Sequence, residues 1–274
     1  MFKQSIFLSK FLAFLVISIM FQTISSGQDF EVAPVRLNYN CEPGQNQTKT
    51  VSVRNYANQK QQFALVVADL VMDSLGNKLR VTDKMKVSNS CKDWLTINPS
   101  FFDLNPNESK EIKVVMQVPP GKAESRWAVI NVSAVDEQTS MTADKNMKAG
   151  IKVKPRIVIR VVQSPSSNIN YKAAISNLTE TTQPKDTTRS FSVKIANTGE
   201  KLIDAKVYLI LSNLQTAKEI NVKPERISVF PGNIRYVKLL MPANVPSGKY
   251  SLAAILDYGN NTTLEAVQMN IEVK

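Results

Sequence analysis

The sequence predicts an all-β protein made of two β-sandwich domains. Short runs rich in Val, Ile, Thr and aromatic residues alternate with polar residues. Turn residues separate these runs at intervals of roughly 8–12 residues, and no window of about 12 residues keeps a helical stripe. The length of 274 residues suits two domains, each able to bury its own core. Two packed antiparallel sheets per domain are therefore expected.

Residues 1–27 are predicted to be a secretory signal peptide that is not part of the fold. Lys3 and Lys10 give a positively charged start, and Phe11–Phe21 is an apolar run interrupted only by Ser18. Such a run is too short to favour a membrane-spanning helix, although an uncleaved membrane anchor is the alternative. Cleavage after Gly27 would release an exported chain.

The first domain is predicted over residues 28–163. Its last segment, Gly150–Gln163, has the longest strict alternation in the chain, with Ile151, Val153, Ile157 and Ile159 on one face. Residues 136–149 are polar, lack this alternation and predict a long loop. The other predicted strands of the domain are Val32–Tyr39, Lys49–Asn55, Gln62–Asp69, Trp94–Pro99, Lys110–Val118 and Ala128–Val135.

The second domain is predicted over residues 164–274, after a linker at Ser164–Ser167. The segments 101–119 and 227–246 share one order of features: an apolar run, a proline, a polar turn, an alternating strand and a second proline. This similarity indicates that both domains have the same architecture. The predicted strands of the second domain are Ser190–Asn197, Lys206–Ser212, Arg226–Phe230, Arg235–Met241, Gly248–Tyr258 and Thr263–Val273.

The composition argues against an enzyme. The chain has no histidine, which removes Ser-His and Cys-His nucleophiles and histidine metal sites. Two cysteines cannot form a four-thiolate zinc site, so we expect neither a metal nor a cofactor. The net charge is +11, and the basic residues are interspersed with acidic ones. They do not form a basic stripe with aromatic residues, so we expect no nucleic-acid partner.

Export would place Cys41 and Cys91 in an oxidising compartment, where one bridge between them is the only intramolecular option. Such a bridge would close a loop of about 50 residues and stabilise the fold by about 4 kcal/mol in the chain-entropy model. Two free thiols are the alternative. The tryptophans Trp94 and Trp127 are expected to anchor the core, because aromatic side chains bury large areas.

Residues 28–163 resemble the immunoglobulin-fold, PapD-like periplasmic chaperones of pilus chaperone–usher systems. Phe30–Tyr39 resembles the first strand of that family, including its arginine, and Lys49–Asn55 resembles a strand ending in an asparagine turn. Ile97–Pro106 is similar to a "P-P-x-F-x-L-x-P" stretch, with Asn98-Pro99 in place of two prolines. Glu124–Val132 is similar to an "E-S-x-x-W-x-N-V" strand, with Trp127 shifted by one residue.

This resemblance implies a binding mechanism. A basic pair between the domains would anchor the C-terminal carboxylate of an incomplete subunit, with Arg36 as one member and Lys152 or Lys154 as the other. The last strand would then add to the subunit's open edge and donate Ile151, Val153, Ile157 and Ile159. The implied partners are secreted, pilin-like subunits and an outer-membrane assembly partner. The implied location is the periplasm, with secretion or outer-membrane association as alternatives.

The residues also allow simpler interpretations. Arg36 could be an ordinary exposed strand residue, and 151–161 could be a half-buried strand of its own sheet. Pro155 removes one ladder donor, which suits an edge strand but departs from an uninterrupted donor strand. The alternative function is a non-catalytic structural or accessory module of a surface or secretion assembly. An accessory module would bury 151–161 in its own sheet and point Arg36 away from the cleft.

Overall fold

The computed structural model describes residues 29–79, 81, 85, 87–135, 155–259 and 262–274. Over these ranges the chain is almost entirely β-strand, with one 3₁₀ turn at Lys92–Trp94. The predicted all-β fold class with two immunoglobulin-like sandwiches is therefore confirmed. Within the described residues, no helix has the length and apolar character needed to cross a membrane. The predicted signal peptide (1–27) and loop (136–149) lie outside the described residues.

The N-terminal sandwich consists of a four-stranded sheet, β1-β3-β9-β7, packed on a five-stranded sheet, β2-β11-β10-β4-β8. A two-stranded hairpin, β5-β6, forms a separate small sheet. The strands are β1 (Phe30–Ala33), β2 (Arg36–Tyr39), β3 (Asn46–Asn55), β4 (Gln61–Ala68), β5 (Val71–Met72), β6 (Lys78–Leu79), β7 (Leu95–Asn98), β8 (Phe101–Leu104), β9 (Ser109–Gln117), β10 (Arg126–Val135) and β11 (Arg156–Gln163).

The core of the N-terminal sandwich follows from the alternation of its strands. Phe63 packs edge-on against Phe30, with ring centroids 5.2 Å apart, and stacks on Phe102 at 5.9 Å. Tyr39 is buried, and its hydroxyl donates a hydrogen bond of 2.8 Å to the carbonyl oxygen of Val114. Burial raises the pKa of this hydroxyl, which therefore stays protonated.

The first strand changes sheets at Pro34. Before it, β1 pairs antiparallel with β3, and after it, β2 pairs parallel with β11 in the opposite sheet. Proline cannot donate to a ladder, so it suits the crossing between two sheets. As a result β2 covers only the second half of β11, from Arg160 to Gln163.

The C-terminal sandwich packs a three-stranded sheet, β12-β13-β17, on a sheet ordered β15-β14-β18-β19, in which β16 also pairs with β14. Its core is a separate cluster that includes Phe191, Ile195, Leu209 and Leu252. The strands are β12 (Ala173–Glu180), β13 (Ser190–Asn197), β14 (Ile203–Asn213), β15 (Glu219–Asn221), β16 (Glu225–Val229), β17 (Ile234–Leu240), β18 (Gly248–Asp257) and β19 (Glu265–Val273).

The two sandwiches repeat one buried asparagine turn. Asn55 ends β3 and donates from its amide nitrogen to the carbonyl of Leu104, and Asn197 ends β13 and donates to the carbonyl of Val229. Each asparagine side-chain oxygen accepts a hydrogen bond from the backbone N–H two residues later. These shared contacts lie at the segments whose sequences resemble each other, since Leu104 is in 101–119 and Val229 is in 227–246.

We expect Asn55→Ala and Asn197→Ala each to lower the free energy of unfolding by about 1–3 kcal/mol. Both side chains are buried, at 0% and 2% exposure, and their removal leaves buried carbonyl oxygens without a partner. Urea denaturation followed by circular dichroism measures the change. The exposed Asn270→Ala is the control and should shift stability by less than about 0.5 kcal/mol. Equal effects at all three sites would refute a structural role for the turns.

The sandwiches meet at a small apolar cluster. Trp127 packs on Phe230 of the C-terminal sandwich, with ring centroids 4.5 Å apart, and its indole N–H donates to the carbonyl of Leu70 at 3.0 Å. Val129 and Val162 complete the buried part of this cluster. The sequence expectation of a buried Trp127 is correct, but its position is between the sandwiches and not inside one core.

Polar contacts hold the segment that connects the sandwiches. The ammonium group of Lys201 is buried and donates to the carbonyl of Pro165 at 2.6 Å. Glu42 accepts hydrogen bonds from the backbone N–H and the hydroxyl of Ser167. Because both contacts join the connecting segment to a sandwich, the relative position of the sandwiches is fixed by more than the apolar cluster.

Candidate functional site: an arginine pair beside an open strand edge

Two arginines lie side by side where the sandwiches meet. The parallel pairing of β2 with β11 places Arg36 directly opposite Arg160. Both residues alternate with buried neighbours, Leu37 on β2 and Ile159 and Val161 on β11, so both side chains project from the outer face of the sheet. This face is the one that the C-terminal sandwich partly covers.

The C-terminal sandwich supplies a carboxylate to this pair. Asp204 on β14 binds Arg36 through one oxygen, with Nη2 and Oδ2 2.7 Å apart. Its other oxygen, Oδ1, accepts a hydrogen bond from the hydroxyl of Ser228. Arg160 donates from Nη1 to the Ser228 hydroxyl at 3.2 Å. The three charges sum to +1, so the cluster keeps an excess positive charge.

The environment lowers the pKa of both Asp204 and Arg160, for different reasons. Burial raises the pKa of Asp204, but hydrogen bonds from Ser228 and Arg36 and the charges of both arginines outweigh it, so the pKa lies below its usual value. Burial and the like charge of Arg36 lower the pKa of Arg160. Arginine still remains protonated at any physiological pH, so the pair is a permanent cationic site.

Among the described residues, the first half of β11 has an edge that no strand covers. On one side Arg156–Ile159 pairs with β10, but β2 reaches only from Arg160 onward on the other side. The N–H of Arg160 points to the β2 side, where it bonds the carbonyl of Val35 at 3.0 Å. Because directions alternate along a strand, the N–H and C=O groups of Arg156 and Val158 point to that same side. In the described part of the chain, no strand pairs with them there.

Exposed apolar side chains also lie on the outer face of the same sheet, on either side of Asn131. The register aligns Val158 with Asn131 and then with Val66, and Phe101 lies on the neighbouring row. The side chains of Val158, Val66 and Phe101 are exposed at 37%, 58% and 55%. Open backbone groups, exposed apolar side chains and a cationic pair therefore occur together at one place.

The structure separates the predicted site residues into three groups. Arg36 lies at the junction of the sandwiches, as the carboxylate-anchor hypothesis requires. The residues Ile151, Lys152, Val153 and Lys154 lie outside the described residues. Ile157 is half-buried and packs against the N-terminal core, and Ile159 is fully buried in it. Ile159 is therefore removed from the predicted donor set, because a core side chain is not available to another protein.

Arg160 is the site residue that sequence reasoning missed. The resemblance implied that the partner of Arg36 is a lysine near the start of Gly150–Gln163. The alternation places Arg160 on the same face as Lys152 and Lys154, and this pattern could have identified Arg160 as a candidate. Its position opposite Arg36 depends on the pairing of β2 with β11, and no local pattern specifies which strands pair.

The predicted disulfide is not present in the structure. Cys41 and Cys91 are free thiols, and both are buried in the N-terminal core. Burial raises the pKa of Cys91 to about 12 and also raises the pKa of Cys41. Disulfide formation requires a thiolate, so these environments disfavour the reaction. The described ranges contain no cluster of three or more Cys, Asp or Glu side chains arranged for a metal ion.

No protein-family model and no curated protein sequence matches the chain. Among solved structures, it is similar to a chain of the chaperone–tip adhesin complex of CFA/I fimbriae biogenesis, with 12% identity over 89% of this chain and 98% of that chain and a TM-score of 0.48. It is similar to the E. coli chaperone DraB, with 15% identity over 89% of this chain and 96% of that one and a TM-score of 0.45.

A third similarity is to a chain of the Salmonella enterica SafA pilin–SafB chaperone complex. Its identity is 12% over 89% of this chain and 98% of that chain, with a TM-score of 0.44.

Proposed function

We propose that this protein is a non-catalytic, chaperone-like protein of the periplasm that binds secreted or fimbrial subunits by β-strand addition. The observation that carries the proposal is the arginine pair, Arg36 and Arg160, beside the open edge of β11. A client would place its C-terminal carboxylate on the pair and lay its last strand along that edge. An outer-membrane assembly partner would then receive the client.

The chemistry of the pair suits a carboxylate. Arginine offers several N–H donors in a rigid fork that matches the two oxygens of a carboxylate. The cluster of Arg36, Arg160 and Asp204 has one positive charge in excess, so one further anion would neutralise it. The C-terminal carboxylate of a client would also place a negative charge next to the partly buried guanidinium of Arg160.

The open edge supplies the second half of the mechanism. The backbone groups of Arg156 and Val158 can pair with a client strand, which gives affinity independent of the client's sequence. The exposed side chains of Val158, Val66 and Phe101 would then cover apolar surface on the client. Unpaired strand edges promote aggregation, so covering one protects the client until it assembles.

The alternative function is an accessory module of a surface or secretion assembly that donates no strand. One observation favours it: Ile157 and Ile159 pack against the protein's own core and not outward. In the chaperone proposal, the client is bound instead by the backbone edge of β11, by Val158 and by the predicted donors Ile151 and Val153. An accessory module would not discriminate between clients with and without a free C-terminal carboxylate.

Arg36→Ala and Arg160→Ala should each reduce the recovery of client proteins from a periplasmic extract. Loss of a charge-assisted bond to a carboxylate costs about 1.5–3 kcal/mol, so recovery at limiting bait should fall roughly tenfold or more. The experiment is a pull-down with quantitative mass spectrometry. The control is Arg54→Ala, which removes an arginine that lies over the ring of Tyr56 and away from the pair. Equal recovery with all four proteins would disprove carboxylate anchoring.

A further inference from the structure

The carboxylate already bound to the arginine pair belongs to the protein itself. Asp204 extends from β14 of the C-terminal sandwich and binds Arg36, which is on the N-terminal sandwich. Both bidentate faces of a guanidinium include Nη2, and Nε of Arg36 already donates to Asn38, so a client's C-terminal carboxylate bound through two oxygens would share Nη2 with Asp204. Two carboxylates on the same Nη2 group repel each other, so each weakens the binding of the other.

We propose that Asp204 is a built-in competitor that occupies Arg36 while no client is bound and yields it when a client's carboxylate arrives. The inference rests on the proposed carboxylate anchor, and it adds a regulatory residue to that site. Asp204 would set a threshold that a bound segment must exceed.

The geometry allows Asp204 to be displaced. The side chain of Asp204 is 49% exposed and that of Arg36 is 36% exposed, so a client can reach both groups. Ion pairs between partly exposed groups are weak, and a bidentate client carboxylate can replace one. Ser228 holds Oδ1 of Asp204, so the carboxylate keeps one hydrogen bond after it releases Arg36.

Arg160 is the place where a client can first make contact. It donates to the Ser228 hydroxyl and not to the carboxylate of Asp204, so its charge is not directly paired. A client carboxylate can approach Arg160 before it takes Arg36 from Asp204. This order requires only rotation of the Asp204 side chain, because β14 is fixed in its sheet between β16 and β18.

A competitor of this kind lowers the affinity for chain ends that carry a carboxylate. Segments without a carboxylate, such as the middle of an unfolded chain, cannot exchange with Asp204 and leave the internal pair in place. Because the ion pair between Asp204 and Arg36 forms again when a client leaves, Asp204 would favour the release of a bound client.

The test compares Asp204→Asn with the wild type. The probe is a synthetic peptide of alternating valine and threonine with a free C-terminal carboxylate, and the same peptide with a C-terminal amide. Binding is measured by isothermal titration calorimetry. The matched control is Glu180→Gln, which removes one negative charge from another arginine–carboxylate pair of the same sandwich, that with Arg189.

We expect Asp204→Asn to bind the free-acid peptide about fivefold more tightly than the wild type, and the amidated peptide equally well. Glu180→Gln should bind both peptides as the wild type does. Equal or weaker binding of the free-acid peptide by Asp204→Asn would overturn the inference, because Asp204 would then only support the arginines.

A third variant separates failure of this inference from failure of the proposed function. If Arg36→Ala weakens binding of the free-acid peptide while Asp204→Asn does not strengthen it, the anchor stands and only the competitor role is wrong. If Arg36→Ala binds the free-acid peptide as well as the wild type does, the carboxylate anchor itself is wrong, and the competitor role with it.

Discussion

Val158→Pro should weaken client binding roughly tenfold or more while leaving the protein as stable as the wild type. The N–H of Val158 points to the open edge of β11 and not to β10, so its loss removes no ladder bond of the protein's own sheet. A client strand would lose one donor and keep an unpaired carbonyl oxygen. This costs about 1–3 kcal/mol, or roughly tenfold in affinity, and the proline ring adds steric hindrance at the edge.

Ile157→Pro is the matched control for this variant. Ile157 pairs with Val132, and its N–H points into the sheet toward β10, so proline there removes an internal ladder bond. We expect it to lower the free energy of unfolding by about 3 kcal/mol. Thermal denaturation and client pull-down are measured for both variants. Full client binding by Val158→Pro, with the protein folded, would rule out strand addition at this edge.

Trp127→Ala should cause the largest loss of stability. The side chain is 6% exposed, packs on Phe230 and bonds the carbonyl of Leu70. Large-to-small replacements at such sites cost about 3–5 kcal/mol. Because Trp127 lies between the sandwiches, we also expect faster proteolysis in the connecting segment 164–168. Urea denaturation and limited digestion with proteinase K measure the two effects; trypsin is unsuitable because the segment contains no Lys or Arg.

Trp127→Phe distinguishes packing from hydrogen bonding at the same position. It keeps an aromatic ring against Phe230 and loses only the indole donor to Leu70, so we expect a loss of about 1 kcal/mol. If Trp127→Ala and Trp127→Phe destabilise equally, packing between the sandwiches contributes little, and the hydrogen bond alone explains the effect.

The strands could be predicted from the sequence because alternation is a local property. The runs Lys49–Asn55 and Ala128–Val135 lie within β3 and β10. Alternation also placed Ile157 and Ile159 on one face and Arg160 on the other. It could not specify which face is inward, because that depends on the sheet that packs against β11. The structure places the isoleucines inward and the arginine outward.

The site depends on contacts between distant parts of the chain, which no local pattern reports. Arg36 meets Arg160 because β2 leaves its first sheet and joins β11. Asp204 reaches Arg36 only through the packing of two sandwiches. The resemblance to a family implied Arg36 with Lys152 or Lys154 as its partner; both lysines lie outside the described residues, so that pairing stays a prediction.

Amide hydrogen exchange along β11, measured by NMR with and without a client subunit, tests strand addition most directly. The free protein should show slow exchange at Ile157 and Ile159, whose N–H groups pair with β10, and fast exchange at Arg156 and Val158. Client binding should slow exchange at Arg156 and Val158. Unchanged fast exchange at these two residues in a client complex would contradict the account.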